Sequence, residues 1–172
     1  MLVVIRGAGD IASGIALRLY RAGIRLVLTD LPNPTAVRRT VCFSEAIRLG
    51  EVQVEGITGR LAHSPQEALE LTKQGIVPVL ADPEGACIAA LKPDAVVDAI
   101  LAKRNLGTKI TDAPVVIGVG PGFTAGARAS RVRRETCFVR GVRPAGPTGS
   151  RRKFKVSSTS TPAIPPRSSV SV

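Results

Sequence analysis

Tryptophan is absent, and the 172 residues include one tyrosine, four phenylalanines and one histidine. Aromatics make up only 3% of a chain that is 44% hydrophobic, so any core must be built from Val, Ile, Leu and Ala. No run of about 18 apolar residues occurs, and no membrane span is expected. The N-terminus lacks a basic stretch followed by an apolar run and a small-residue cleavage site. No signal peptide is therefore expected, and the cytoplasm is the expected compartment. The three cysteines, Cys42, Cys87 and Cys137, are far apart and form no CxxC pair. With His63 as the sole imidazole, they argue against a zinc site and against a disulfide framework. They read as reduced thiols. Cys42 has a second reading as a reactive thiol, because Arg38 and Arg39 nearby would lower its pKa. His63 stands just before a helix start and reads as a surface residue rather than a catalyst.

Acidic residues are missing from one region only. The formal charge is +11. Residues 1–123 hold 13 basic and 12 acidic residues, while residues 124–172 hold 11 basic residues and the single acid Glu135. The imbalance is local. It supports sequence-blind, salt-sensitive nucleic-acid binding by the tail as a third functional reading. Only Phe138 and Phe154 interleave the tail's cations and no recognition motif is present, so no specific nucleic-acid partner is expected.

What is present is concentrated in the first thirty residues. Leu2–Arg6 is an apolar, β-branched run, and a glycine turn follows at once: Gly7, Ala8, Gly9, Asp10, Ile11, Ala12. Ile11, Ile15, Leu19 and Ala22 then recur at helical spacing up to Gly23. Arg25–Thr29 is a second strand, closed by Asp30. Strand, glycine turn, helix, strand and acid, in that order, are the context of a dinucleotide-binding turn. Gly7 would leave the strand with positive φ. Gly9 would let a pyrophosphate approach the backbone, and Ala12 would let the helix pack closely. The helix's first N–H groups would face the phosphates. Asp30 lies twenty-three residues after Gly7, near the spacing expected for the acid that binds a ribose hydroxyl. Its charge would repel a 2′-phosphate, so NAD is expected over NADP, with another nucleotide as the alternative. Asp10 would oppose a phosphate, or cap the helix instead. A plain tight turn that binds nothing is the competing reading.

Further along, Leu31–Pro34 is a loop, and 35–50 reads as two helical pieces with Ser44 capping the second. Residues 51–55 and 56–62 read as a small β-hairpin insertion. Ser64, Pro65 and Glu67 mark a helix start, and the helix ends near Gly75. The strand 76–82 contains Pro78, which weakens it or places it at an edge. A short helix at 83–91 and strands at 94–100 and 115–120 complete the pattern. The expected fold is α/β, Rossmann-like, with a mostly parallel sheet. Residues 1–124 form the expected binding domain. Residues 125–172 form a basic, Ser/Pro-rich tail that buries too little to order itself.

Three stretches, "RRTVCFSEA" at 38–46, "DAILAKRNLGT" at 98–108 and "GVGPGFTAG" at 118–126, together with the opening turn, resemble the YqeB family over residues 1–126. That family accompanies selenium-dependent molybdenum hydroxylases such as xanthine and purine dehydrogenases. The resemblance implies an accessory or maturation protein, similar to XdhC-type factors, with a Rossmann-like region. The implied partners are a molybdenum hydroxylase or its maturation machinery, and the molybdenum cofactor is a client ligand. An NAD-dependent oxidoreductase acting on a small substrate is the alternative. Beyond "PGFTAG" the chain departs from the family, which continues with an Asp/His-containing stretch and a further domain. One expectation is that the tail is a frameshifted reading of a GC-rich gene; the lack of an intact alternative frame on sequencing would sink it.

Two more segments carry candidate chemistry. Lys103, Arg104 and Asn105 follow a strand, with Thr108 close behind. They would clamp an anion such as a phosphate, a molybdopterin phosphate or an oxyanion, or form a solvated loop. Asp98 and Asp112 flank them as candidates to orient Lys103 or Arg104. Gly118, Gly120 and Gly122 form a second glycine turn, read as sharing one crevice with the first or as a plain loop. No Ser/His/Asp set or paired carboxylate stands out, so no catalytic residue is named.

Overall fold

A computed structural model describes residues 1–123 and 138–139. The expected tail and its domain boundary lie outside these residues, apart from Phe138–Val139.

The chain forms an α/β sandwich around one sheet. Its elements are β1 (Leu2–Arg6), α1 (Asp10–Arg21), β2 (Arg25–Asp30), α2 (Glu45–Leu49), β3 (Glu51–Val54), β4 (Ile57–Ala62), α3 (Pro65–Lys73), β5 (Val77–Ala81), α4 (Cys87–Leu91), β6 (Ala95–Asp98), β7 (Val115–Gly118) and β8 (Phe138–Val139). The sheet order is β3-β4-β5-β2-β1-β6-β7-β8. The six strands from β4 to β7 in this order are mutually parallel, while β3 and β8 pair antiparallel at the two edges. The chain builds one half from β1 outward through β2, then crosses to β6 on the other side of β1. The loops after β1 and β6 therefore part company there, leaving the crevice in which ligands of open α/β sheets bind.

Side-chain alternation explains why both faces are covered. Val3 and Ile5 point to one face, with Leu26, Leu28, Val79 and Val97, against Ala12, Ala16 and Leu17 of α1 and Phe43. Leu2 and Val4 point to the other, with Val27, Leu80 and Val96, against Ala68 and Leu71 of α3 and Ile88 and Leu91 of α4. β-Branched runs with no polar face are what a strand buried on both sides requires.

Ser64 caps α3 as expected. Its Oγ accepts the Glu67 N–H at 3.1 Å, Pro65 takes the first helical position, and Glu67 reaches back to accept the His63 N–H at 2.8 Å. The hairpin β3–β4 forms with the register Val54↔Ile57.

Four local expectations are corrected. Residues 35–50 contain only a single 3-10 turn (Arg39–Val41) and the five-residue α2. Ser44 does not cap α2. The chain is already turning at Cys42 and Phe43, whose carbonyls accept the Glu45 and Ala46 N–H groups, so Ser44 is helical and its hydroxyl has no free amide to meet. Pro78 is not at an edge, because β5 lies between β4 and β2. The ladder to β2 begins only at Leu28↔Val79, so the missing proline N–H falls where that ladder has not yet started. The helix expected at 83–91 is confined to Cys87–Leu91. The turn before it is held by Asp82, which accepts the N–H groups of Gly85, Ala86 and Cys87.

Candidate functional site

The C-terminal ends of β1, β2, β5 and β6 surround a cavity of about 290 Å³. Gly7, Gly9, Asp10 and Ile11 form one wall, Thr29, Asp30 and Leu31 the second, and Ala99, Ile100 and Leu101 the third. Thr35, Ala36, Pro83 and Leu106 complete it. Of the residues singled out in the sequence, Gly7, Gly9, Asp10, Ile11 and Asp30 meet here. Ala8 and Ala12 are fully buried beneath, where they let α1 approach the sheet.

Gly7 and Gly9 are glycines for different reasons. Gly7 has φ +100°, and a Cβ there would stand 2.9 Å from the Ala99 carbonyl oxygen, so the fold itself demands glycine. Gly9 has an ordinary φ of −67°, and a Cβ would meet nothing within 4 Å. Neither backbone nor packing requires glycine at position 9; a Cβ would enter open space at a residue that lines the cavity.

Asp30 is held in place by the backbone on either side of it. Its Oδ2 accepts the Ala8 N–H at 2.9 Å and its Oδ1 accepts the Leu31 N–H at 2.8 Å. Each oxygen keeps a lone pair for a further donor such as a hydroxyl. Asp10 is the first residue of α1, and its Oδ1 accepts the Ile11 N–H at 2.8 Å. Arg38 grips the other oxygen, and this ion pair, with the Ile11 N–H, holds the Asp10 carboxyl below its ordinary pKa. Asp30 thus stands at the cavity wall with acceptor capacity left on both oxygens. At the start of α1, where the sequence leads one to expect phosphates, the Asp10 carboxylate is already paired with a guanidinium.

The second glycine turn does not share this cavity. Gly118 and Gly122, with Asn105 and Thr108, line a separate hollow of about 340 Å³. The turn's glycines are occupied by packing. A Cβ on Gly118 would strike the Phe123 ring at 2.6 Å, one on Gly120 would press on Leu101, and one on Gly122 would lie 2.7 Å from the Ala102 carbonyl oxygen. The turn therefore backs the loop after β6, which in turn forms the cavity wall. Lys103 and Arg104 are exposed on that loop and line neither hollow. Asn105 closes the loop, accepting the Thr108 N–H and donating to the Thr108 carbonyl.

Asp98 and Asp112 do not orient Lys103 or Arg104. Asp112 accepts the Lys109 N–H. Asp98 belongs to a buried group that sequence reasoning missed. Arg6, at the end of central strand β1, is 1% exposed. Its guanidinium donates to the Thr108 hydroxyl, to Pro83 O at 2.9 Å and to Leu106 O at 3.1 Å. Thr108 in turn donates to Asp98 Oδ2, which lies 3.7 Å from the guanidinium. Pro83 and Leu106 are both cavity walls, so Arg6 ties two sides of the site together from below. The available signal was a charged residue closing an otherwise apolar run, followed far along the chain by an acid closing another.

Among the described residues, neither thiol is placed as a reactive centre. Cys42 is fully buried, donates to the Arg38 carbonyl at 3.0 Å, and has its pKa raised by burial; this overturns the reactive reading. Cys87 shares a hollow of about 570 Å³ with His63 and Asp82, but burial and the Asp82 carboxylate push its thiol up to about 12. It stays protonated and is no nucleophile. Among the described residues no cluster of three or more His, Cys, Asp or Glu could hold a metal ion, and no helix is long and apolar enough to cross a membrane.

Over 125 residues, 73% of its length, the chain is 58% identical to a protein of Escherichia coli (strain K12) named "Uncharacterized protein YqeB". The match supports the YqeB resemblance over that segment. The aligned part spans 23% of that longer protein. No protein-family model matches the chain, and no solved structure does.

Proposed function

We propose that the chain binds a ribose-bearing nucleotide, NAD or a related molecule, in the cavity between β1, β2 and β6, and serves as an accessory protein of a molybdenum hydroxylase system. Gly9 carries the binding half of this reading: the protein leaves open, at the start of α1, the space that a side chain would fill. Asp30, with a lone pair free on each oxygen, supports the ribose contact and disfavours a 2′-phosphate. The accessory half, including maturation of a selenium-dependent enzyme and the molybdenum cofactor as client, rests on the resemblance to YqeB. The oxidoreductase alternative is less well supported. Asp10 and Asp30 are the only titratable side chains among the described residues lining the cavity, and both are committed to backbone N–H groups.

The test is a thermal-shift series on the full chain with NAD, NADP, ATP and adenosine, for the wild type, Gly9→Ala and Asp30→Ala. A ligand that binds the folded form raises its apparent stability. The expected result is a shift with NAD larger than with NADP, lost in both variants. Gly9→Ala alone should melt as the wild type does. A folded wild type that shifts with none of the four ligands would refute the binding reading. Oxidation or reduction of the nicotinamide with a small substrate would replace the accessory reading with the oxidoreductase.

A further inference from the structure

Arg38 stands two residues beyond Ala36, a wall of the cavity, and its guanidinium reaches back to Asp10. Both Nε (3.0 Å) and Nη2 donate to Asp10 Oδ2. Asp10 lines the cavity beside the open Gly9, and its Oδ1 takes the Ile11 N–H. A carboxylate thus sits where the first turn of α1 would receive an anion, and an arginine fork already answers it. We propose that this pair is a phosphate selector. Arg38 is the group that receives the phosphate of a bound nucleotide, and Asp10 is its built-in competitor. The inference rests on the nucleotide reading of the cavity and deepens it.

Three observations carry it. First, charge: the cavity walls carry Asp10 and Asp30 and no cation among the described residues, so a phosphate entering without Arg38 would meet only like charge. Second, the other candidates are elsewhere. Lys103, Arg104 and Arg38 all lie off the cavity lining, but Arg38 is the one held on a wall residue, Asp10, while Arg39 faces Glu45 at 3.8 Å. Third, Arg38 is free to change partners. Its side chain is 72% exposed, and its planar fork fits a phosphate with the geometry it now offers the carboxylate. Binding exchanges one charge-assisted contact for another. The net gain from a phosphate is therefore small in the wild type and grows when Asp10 loses its charge.

Adenosine and AMP differ by that phosphate alone, so the ratio of their affinities reads the selector. Both are titrated by NMR or calorimetry into the full chain as wild type, Asp10→Asn, Arg38→Gln and Arg38→Lys. Asp10→Asn keeps an oxygen for the Ile11 N–H. It should raise the preference for AMP about fivefold, the scale of one like charge removed at close range in a solvated site. Arg38→Gln should lower it by about as much, and Arg38→Lys should restore part of it. Adenosine affinity should stay level throughout, and the basic tail is the same in every variant. If both ligands bind and the ratio does not move, or both affinities change together, the selector is wrong and the nucleotide reading stands. If neither ligand binds at millimolar concentration, both fall.

Discussion

Removing the Thr108 hydroxyl should loosen the site from beneath. The Thr108→Val side chain has nearly the same shape and deletes one oxygen. That oxygen accepts from Arg6 and donates to Asp98, and the three residues are 7%, 1% and 2% exposed. Valine leaves a buried guanidinium N–H and a buried carboxylate oxygen each short of a partner. A buried polar group left unsatisfied costs about 1–3 kcal/mol. The Arg6–Asp98 attraction at 3.7 Å persists, so a net loss of about 2 kcal/mol is expected. Asp98→Asn goes further, because it leaves the guanidinium buried without a counter-charge; breaking such a pair costs about 3–5 kcal/mol. Urea unfolding of both variants gives the numbers, and native-state hydrogen exchange locates the change. Amides of the 99–108 loop and of the 83–87 turn should open together, since one guanidinium holds Pro83 and Leu106. A loss under 0.5 kcal/mol for both variants, or loosening of one loop without the other, would refute the idea that Arg6 couples the two walls.

Three further predictions concern residues away from the cavity. Ser64→Ala removes the acceptor of the Glu67 N–H and should cost about 1 kcal/mol in urea unfolding, whereas Ser44→Ala, which removes a buried hydroxyl with no partner, should cost less. In a Cys137→Ser background, neither Cys42 nor Cys87 should react with a thiol reagent at pH 8 in native protein, and both should react in urea. Since the Cys87 thiol is held up to about 12 against an ordinary 9.0, unfolded chains ionise first as pH rises. Stability should fall between about pH 9 and 12, and replacing Cys87 with Ala should flatten that slope.

How much was legible depended on whether the governing interaction was local. The Ser64–Pro65–Glu67 start was readable because a cap is closed within four residues. The Gly7 turn was readable because strand, turn and helix follow one another directly. Ser44 looked like a cap because the same residue type serves both roles; the carbonyls of Cys42 and Phe43 decided against it. Pro78 looked like an edge residue because a central strand has two ladders to fill, and the register that spares it is set by β2, nearly fifty residues earlier. The second glycine turn resembled the first in composition, yet its glycines make room for Phe123 and the loop after β6, a contact with no sequence period.

The sequence by itself determined the mostly parallel α/β sheet, the turn after β1 and the acid after β2, because hydrophobic patterning and turn chemistry act over a few residues. It also carried the resemblance to YqeB. Tertiary structure alone decided which charges meet. Arg6 finds Asp98 and Thr108 across about a hundred residues because β1 and β6 lie side by side at the crossover, and Asp10 finds Arg38 because the chain after β2 folds back over α1. Pairing at such separations depends on strand order and loop path, to which no local propensity is sensitive. For the same reason only the fold distinguishes Gly9, which lines the cavity with open space beside it, from Gly7, where a Cβ would meet the Ala99 carbonyl.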